Sequence, residues 1–330
     1  MNIRRVLISI VWPLAGSCVA AQGAALSASP GPCSKLDRTV TSQILAGHEK
    51  EAEGELSAAL AKPANDLGSP CAGLVLANMA ALMGVSGRFA DAEAFARRAV
   101  DEFTRVVGPN APALLRPLQI LTLARLEQGK VGSARTAFQK MKVIPAETPA
   151  QRALVHGAGA VLLEKEGKFA EAESEYRATV TALQEDGRGD GADIASALIA
   201  VASLYVKDHR LADAAAVLDR ALLILNIARD AVPMDRVRLL NIRAVLDARR
   251  GDWQKAEEEL NGAVSIAVRQ ERMDPDVHSH LLADYARVLR KNHHRRQARL
   301  VEARVAAERG YRAADGLVDV SEFAPGPGTR

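Results

Sequence analysis

The sequence predicts an all-α protein, a right-handed α-solenoid of about seven helix–turn–helix units, on three observations. Hydrophobic residues make up 48% of the chain but aromatic residues only 4%, so the apolar material is mostly Ala, Leu and Val. That mixture suits close packing of helices through small side chains better than a sandwich of strands. Second, the segments Gly87 to Ala92, Gly167 to Ala172 and Gly251 to Ala256 share a turn glycine, a bulky apolar residue two positions on and an alanine five on. Third, this frame recurs along most of the chain at nearly constant spacing, the signature of a repeat array.

The units follow in order from the turn residue. Gly47, Gly87, Gly129, Gly167, His209, Gly251 and His293 mark seven turns, each with an alanine five residues later: Ala52, Ala92, Ala134, Ala172, Ala214, Ala256 and Ala298. Seven residues before the turn lies a small side chain in every unit but the first, namely Ala80, Thr122, Ala160, Ala202, Ala244 and Ala286. A second alanine recurs seven residues after the first in Ala59, Ala99, Ala221 and Ala263, on the same helix face. Phe95, Phe138, Tyr176, Leu218 and Leu260 fill the remaining space. Departures fall mostly at the ends: Val40 replaces the first small residue, and Arg295 and Val305 interrupt the last unit. Met141 and Thr179 stand for the second alanine in two inner units.

A small residue, Gly, an aromatic, Ala and then Ala is a pattern that resembles the tetratricopeptide repeat. Spacings of 42, 38, 42, 42 and 42 residues from Gly87 to His293 resemble the longer repeat of kinesin light chains, and Gly108-Pro109-Asn110-Ala111-Pro112 is similar to their Gly-Pro-Asp-His-Pro linker. The resemblance covers roughly residues 35 to 310. It implies a binding scaffold whose first helices line a concave groove that holds peptides or partner helices.

The domain reading is a signal peptide at 1–21, a linker at 22–34, the repeat array at 35–310 and a flexible tail at 311–330. Arg4 and Arg5, an apolar run from Val6 to Val19, and small residues around Ala20 and Ala21 form a secretory signal layout. The run holds Pro13 and Gly16 and falls short of the roughly 20 apolar residues that span a bilayer. Export of a bacterial-type protein to the periplasm or medium follows, with lipid anchoring through Cys18 as an alternative. Formal net charge is +3, and loss of Arg4 and Arg5 brings the mature chain near neutrality, which argues against nucleic-acid binding.

Nothing in the sequence assembles catalytic chemistry, so the chain reads as a non-enzyme with no cofactor and no metal. There is no phosphate loop, nucleophile elbow, Cys-x-x-Cys pair or His-Glu-x-x-His. His278 and His280 sit about 20 Å along one helix from His293 and His294, too far for a single ion. Arg188-Gly189-Asp190 spells an adhesion tripeptide, but an exposed loop favours Gly and Asp in any case.

The candidate partner site comes from the register. Two residues before each turn lie Val85, Glu127, Lys165, Lys207, Arg249 and Lys291, the last four all basic. Arg238, Arg287 and Arg290 extend the line, giving a positive groove in the C-terminal half for an acidic protein segment, against an apolar one lined by Leu74, Ala77, Ala81 and Val85. A helix end favours a cation by about 0.3–1 kcal/mol with no ligand at all, which explains single members but not the whole line. Asn78 occupies a position where related proteins often bond a peptide backbone, although the other units lack it. The alternative function is an envelope component that docks through convex or end surfaces.

Loss of the signal leaves Cys33 and Cys71, near the starts of neighbouring first helices. Such starts lie side by side in an array, within reach of the about 4.4–6.8 Å that a disulfide needs between Cα atoms.

Overall fold

The computed structural model describes residues 32–45, 48–61, 69–187, 191–228, 233–268 and 275–315, with the side chains of 32–34, 45, 69–70, 275–277 and 308–315 outside that description. The signal, the adhesion tripeptide and most of the linker and tail therefore lie outside the described residues. Among those described, fourteen α-helices form seven hairpins: α1 Pro32–Leu45 with α2 Glu49–Leu60, α3 Ser69–Val85 with α4 Phe89–Val107, α5 Leu115–Glu127 with α6 Val131–Lys142, and α7 Pro149–Lys165 with α8 Phe169–Glu185. The remaining pairs are α9 Ala192–Lys207 with α10 Leu211–Ile227, α11 Pro233–Arg250 with α12 Trp253–Val268, and α13 Pro275–Lys291 with α14 Arg295–Asp315. The helices thus begin three residues ahead of Lys35 and continue five residues past Gly310. Each helix packs on its hairpin partner, and the second helix of one pair packs on the first helix of the next; the buried residues form one large cluster from Val40 to Leu246, a second from Val237 to Val288 in the last units, and a small one around Leu76, Ala77 and Ala99.

The turns show why the register is rigid. Gly87, Gly129, Gly167, His209, Gly251 and His293 all adopt positive φ, between 60° and 85°. The residue after each donates its N–H to a carbonyl five positions back, as in Arg88 to Met83 at 2.8 Å and His294 to Leu289 at 2.8 Å. This pairing closes the first helix and starts the second within two residues, and a left-handed residue is required at the corner. His209 and His293 accept that conformation at a cost that glycine avoids.

The alanine register is the packing rule. All seven alanines five residues past a turn are fully buried, as are Ala80, Thr122, Ala160, Ala202 and Ala244. Met141 and Thr179, which replace the second alanine, are also fully buried. Tyr176, Leu218 and Leu260 are core residues, whereas Phe95 and Phe138 are only half-buried, because the position one residue beyond Phe95, Ala96, takes the core site. Phe138 still presses on the next unit: a Cβ built on Gly159 would lie 2.8 Å from its Cζ.

A second rule, invisible in the apolar pattern, stitches the outer edge. Six residues past the turn, Glu53, Glu93, Glu173 and Glu257 each bond the residue just past the next turn: Arg88 at 3.0 Å, Lys130 at 2.8 Å, Arg210 at 2.5 Å and His294 at 2.9 Å. Between the third and fourth units the signs are exchanged and the second partner moves to the residue just before the turn, so that Arg135 meets Glu166 at 2.7 Å.

Candidate partner-binding face

The line of residues two positions before the turns divides into three stretches with different electrostatics. At the N-terminal end the polar groups of the first helices are turned on one another. Asn78 is 2% exposed, donates to Asp37 of α1 at 2.8 Å and accepts from Arg116 of α5 at 2.7 Å. Arg116 is 1% exposed, with Asp37 3.9 Å away. Burial raises the Asp37 carboxyl above its ordinary range, with Arg116 and the Asn78 hydrogen bond opposing. Asn78 thus cross-links three first helices and is not a peptide-backbone donor. Of the apolar positions expected to line a groove here, Leu74, Ala77 and Ala81 are buried and Val85 is partly exposed.

In the middle, carboxylates and lysines alternate from helix to helix. Lys165 of α7 faces Glu127 of α5 at 3.9 Å, and Lys207 of α9 is hydrogen-bonded to Glu164 of α7. The second Glu164 oxygen accepts from the hydroxyl of Tyr176 at 2.8 Å. Glu127 is less well satisfied: its Oε2 is buried without a partner, and desolvation pushes its carboxyl up to about 7 despite Lys165. Sequence reasoning read Lys165 and Lys207 as free cations because it followed one position; their acids stand at the same position one unit earlier or one residue before it.

At the C-terminal end the supply of acids stops. Arg249 and Lys291 are exposed, and neither is paired with a carboxylate among the described residues. The positions that carry Glu127 and Glu164 for the two lysines hold Lys207 and Val206 ahead of Arg249, and Arg249 and Ala248 ahead of Lys291. Lys291 lies over the Trp253 ring, 5.4 Å from its centroid. Arg287 is half-exposed and bonds Asp284 of its own helix at 3.0 Å.

Two predicted site residues belong elsewhere. Arg238 occupies the register position of Arg116, thirteen before the turn, and is likewise turned inward. It bonds Asp235 at 3.3 Å, which also accepts from Ser196 of α9 at 3.2 Å, and burial pushes the Arg238 guanidinium down to about 10. Arg290 is held by two 2.6 Å bonds to Glu302 of α14, within the last hairpin. Among the described residues no group of His, Cys, Asp and Glu could hold a metal ion, and His294 is engaged with Glu257. Cys71 is buried at the start of α3; the Cys33 side chain lies outside the described set.

Solved structures of helical-repeat proteins resemble this arrangement of hairpins. BtubC (BKLC) from P. vanneervenii superposes with a TM-score of 0.52 at 18% identity, covering 74% of this chain and 94% of that one. The fold is a tetratricopeptide-type solenoid. Lower scores are given by the kinesin light chain nearly identical TPR-like repeats of Podosopora anserina, with a TM-score of 0.46 at 19% identity, covering 62% of this chain and 98% of that one. A tetratricopeptide repeat protein from Parabacteroides merdae gives 0.43 at 17% identity, covering 72% and 80%. No family model matches the chain, and no curated protein matches it. No helix among the described residues of this tetratricopeptide-type array is long and apolar enough to cross a membrane.

Proposed function

We propose that the protein is a non-enzymatic scaffold that holds an acidic segment of a protein partner on the first-helix face of its last units, at Arg249 and Lys291 with Arg287 beside them. The tetratricopeptide-type fold supports a protein-interaction role in general. The observation that carries the finer reading is the interrupted ladder: Glu127 serves Lys165 and Glu164 serves Lys207, and then the acids run out while the cations continue. Neighbouring cations with no counter-charge cost free energy that a partner's carboxylates would recover. The helix-end preference accounts for one cation per helix but not for a Trp ring placed under Lys291.

Tetraglutamate is a suitable probe, since four extended residues reach about 13 Å and neighbouring helices lie roughly 8–10 Å apart. Fluorescence anisotropy of a labelled tetraglutamate with the full chain should show binding that weakens as salt rises, because exposed charges are screened over about 8 Å at physiological ionic strength. Binding that ignores salt, or none at low salt, rejects the reading. An assembly component docking through convex surfaces would give the latter result.

Export to the periplasm or medium, with cleavage near Gln22, remains part of the proposal and rests on the first 21 residues. So does the Cys33 to Cys71 bridge, which is supported by the packing of α1, carrying Cys33 in its first turn, against α3, which carries Cys71. Closing that loop would stabilise by about 3–4 kcal/mol. Two free thiols per denatured, unreduced mature chain would refute the bridge, and an intact Met1 in exported protein would refute the signal.

A further inference from the structure

The middle of the line has a feature that the scaffold reading alone does not use. Lys165 and Lys207 are 31% and 20% exposed, so a ligand can reach them, yet each already faces a carboxylate of this chain. The two carboxylates are held differently. Glu164 has the Tyr176 hydroxyl on one oxygen as well as Lys207 on the other, so it keeps a donor if the lysine leaves. Glu127 is 5% exposed, its Oε2 has no partner, and its one ion pair among the described residues is with Lys165 at 3.9 Å, with Lys207 acting on it from farther off.

We propose that Glu127 and Glu164 fill, in the free protein, two anion subsites that a longer acidic segment takes over from Arg249 inward, and that the takeover is coupled to uptake of one proton from solvent by Glu127. This inference rests on the reading of Arg249 and Lys291 as the entry to the site. The segment's carboxylates bond Lys207 and then Lys165, and each lysine stays charged. Glu164 turns to Tyr176. Glu127, deprived of its cation in a desolvated position, cannot remain an anion and binds a proton at a carboxyl oxygen.

The groups facing Glu127 are few. Lys165 and Glu164 come from α7, Lys207 from α9 and the Tyr176 hydroxyl from α8, all within its electrostatic reach. On the other helices packed around α5, Arg135 of α6 is taken by Glu166, and Glu93 of α4 by Arg125 and Lys130. The proton balance of the site is therefore set by two acids, two lysines and a phenol that desolvation holds neutral.

The test uses the full chain and decaglutamate, which extends about 33 Å and so spans from Lys291 to Lys165 across three helix spacings. Titration calorimetry at pH 8 in phosphate and in Tris, whose ionisation enthalpies differ, counts protons taken up. Uptake approaching one per decaglutamate, near zero for tetraglutamate and abolished in Glu127→Gln, is the expected result. Glu127→Gln and Glu164→Gln should each tighten decaglutamate binding about threefold to tenfold, while tetraglutamate binding stays as in the parent. If decaglutamate binds with the same enthalpy in both buffers, or Glu127→Gln leaves its affinity unchanged, the inference is overturned while the entry site stands. If neither peptide binds the parent or either variant, the entry site and the inference fall together. Circular dichroism of both variants checks that helix content is retained, and Glu127→Asp, which keeps the acid, should restore part of the proton uptake.

Discussion

Arg116 and Arg249 sit on first helices of the same array and meet opposite fates. Arg116 is sealed in a network with Asn78 and Asp37 that ties α1, α3 and α5 together; Arg249, in the sixth unit, is exposed and has no carboxylate partner among the described residues. Between them, Lys165 and Lys207 are paired but reachable. The same face thus passes from cohesion through self-neutralisation to open charge as the chain proceeds. A repeat fold permits this because each unit needs only its neighbours to be stable, so surface positions can diverge unit by unit.

The largest effect expected from breaking this gradient lies at its cohesive end. Arg116→Met removes one partner of a buried charged network and leaves the Asp37 carboxylate behind, which should cost about 3–5 kcal/mol in urea unfolding. Asp37→Asn in the same background should recover part of that loss, since the stranded charge is then gone. Equal stability of Arg116→Met and the parent would show that the network is ornamental.

Glu127 gives the next effect, and its sign is definite. Its folded carboxyl titrates at about 7 against an ordinary value of 4.5, so between these pH values the folded chain holds a proton that the unfolded chain has lost. Its contribution to stability is therefore full below the ordinary value, falls as pH rises through that window, and is absent above pH 7. Glu127→Gln should flatten this slope and raise stability at pH 8 by on the order of 3 kcal/mol. Glu93 acts in the opposite direction: hydrogen bonds from Lys130, Arg125 and Gln128 outweigh desolvation and hold it down to about 2, so its stabilisation is lost only as pH falls below the carboxylate range. A chain whose stability does not change between pH 5 and pH 8 would contradict the assignment at Glu127.

Smaller effects probe the stitching between units. Gly159→Ala gains helix propensity but drives a methyl against the Phe138 ring, and should cost about 1–2 kcal/mol. Glu93→Ala, which removes a partly buried acceptor shared by Arg125, Gln128 and Lys130, should cost about 1 kcal/mol and lose most of that in high salt.

The repeat architecture was legible because its requirements are local and of one residue type each: a left-handed corner admits glycine, or at a cost histidine, and a close helix crossing admits alanine. The candidate site was half legible. Arg249, Arg287 and Lys291, the proposed entry to the site, lie on one register position and its neighbours, but pairing across helices depends on two positions in different units. Glu127 stands in the line itself, whereas Glu164 lies one residue off it beside Lys165, and only packing brings Lys207 onto Glu164. Arg290 failed for the same reason, its partner Glu302 lying across the hairpin. The outer clamp of Glu53, Glu93, Glu173 and Glu257 was present in the aligned frame, and a search for charge at fixed offsets, added to the search for apolar residues, finds it.

The measurement that bears most directly on the account is the affinity of tetraglutamate at pH 8 for two double variants of the full chain, Arg249→Ala with Lys291→Ala, and Lys165→Ala with Lys207→Ala. The account predicts that the first pair weakens binding about tenfold or more, while the second changes it by less than about twofold, because those lysines are already neutralised from within. Equal losses in both pairs, or a larger loss in the second, would contradict it.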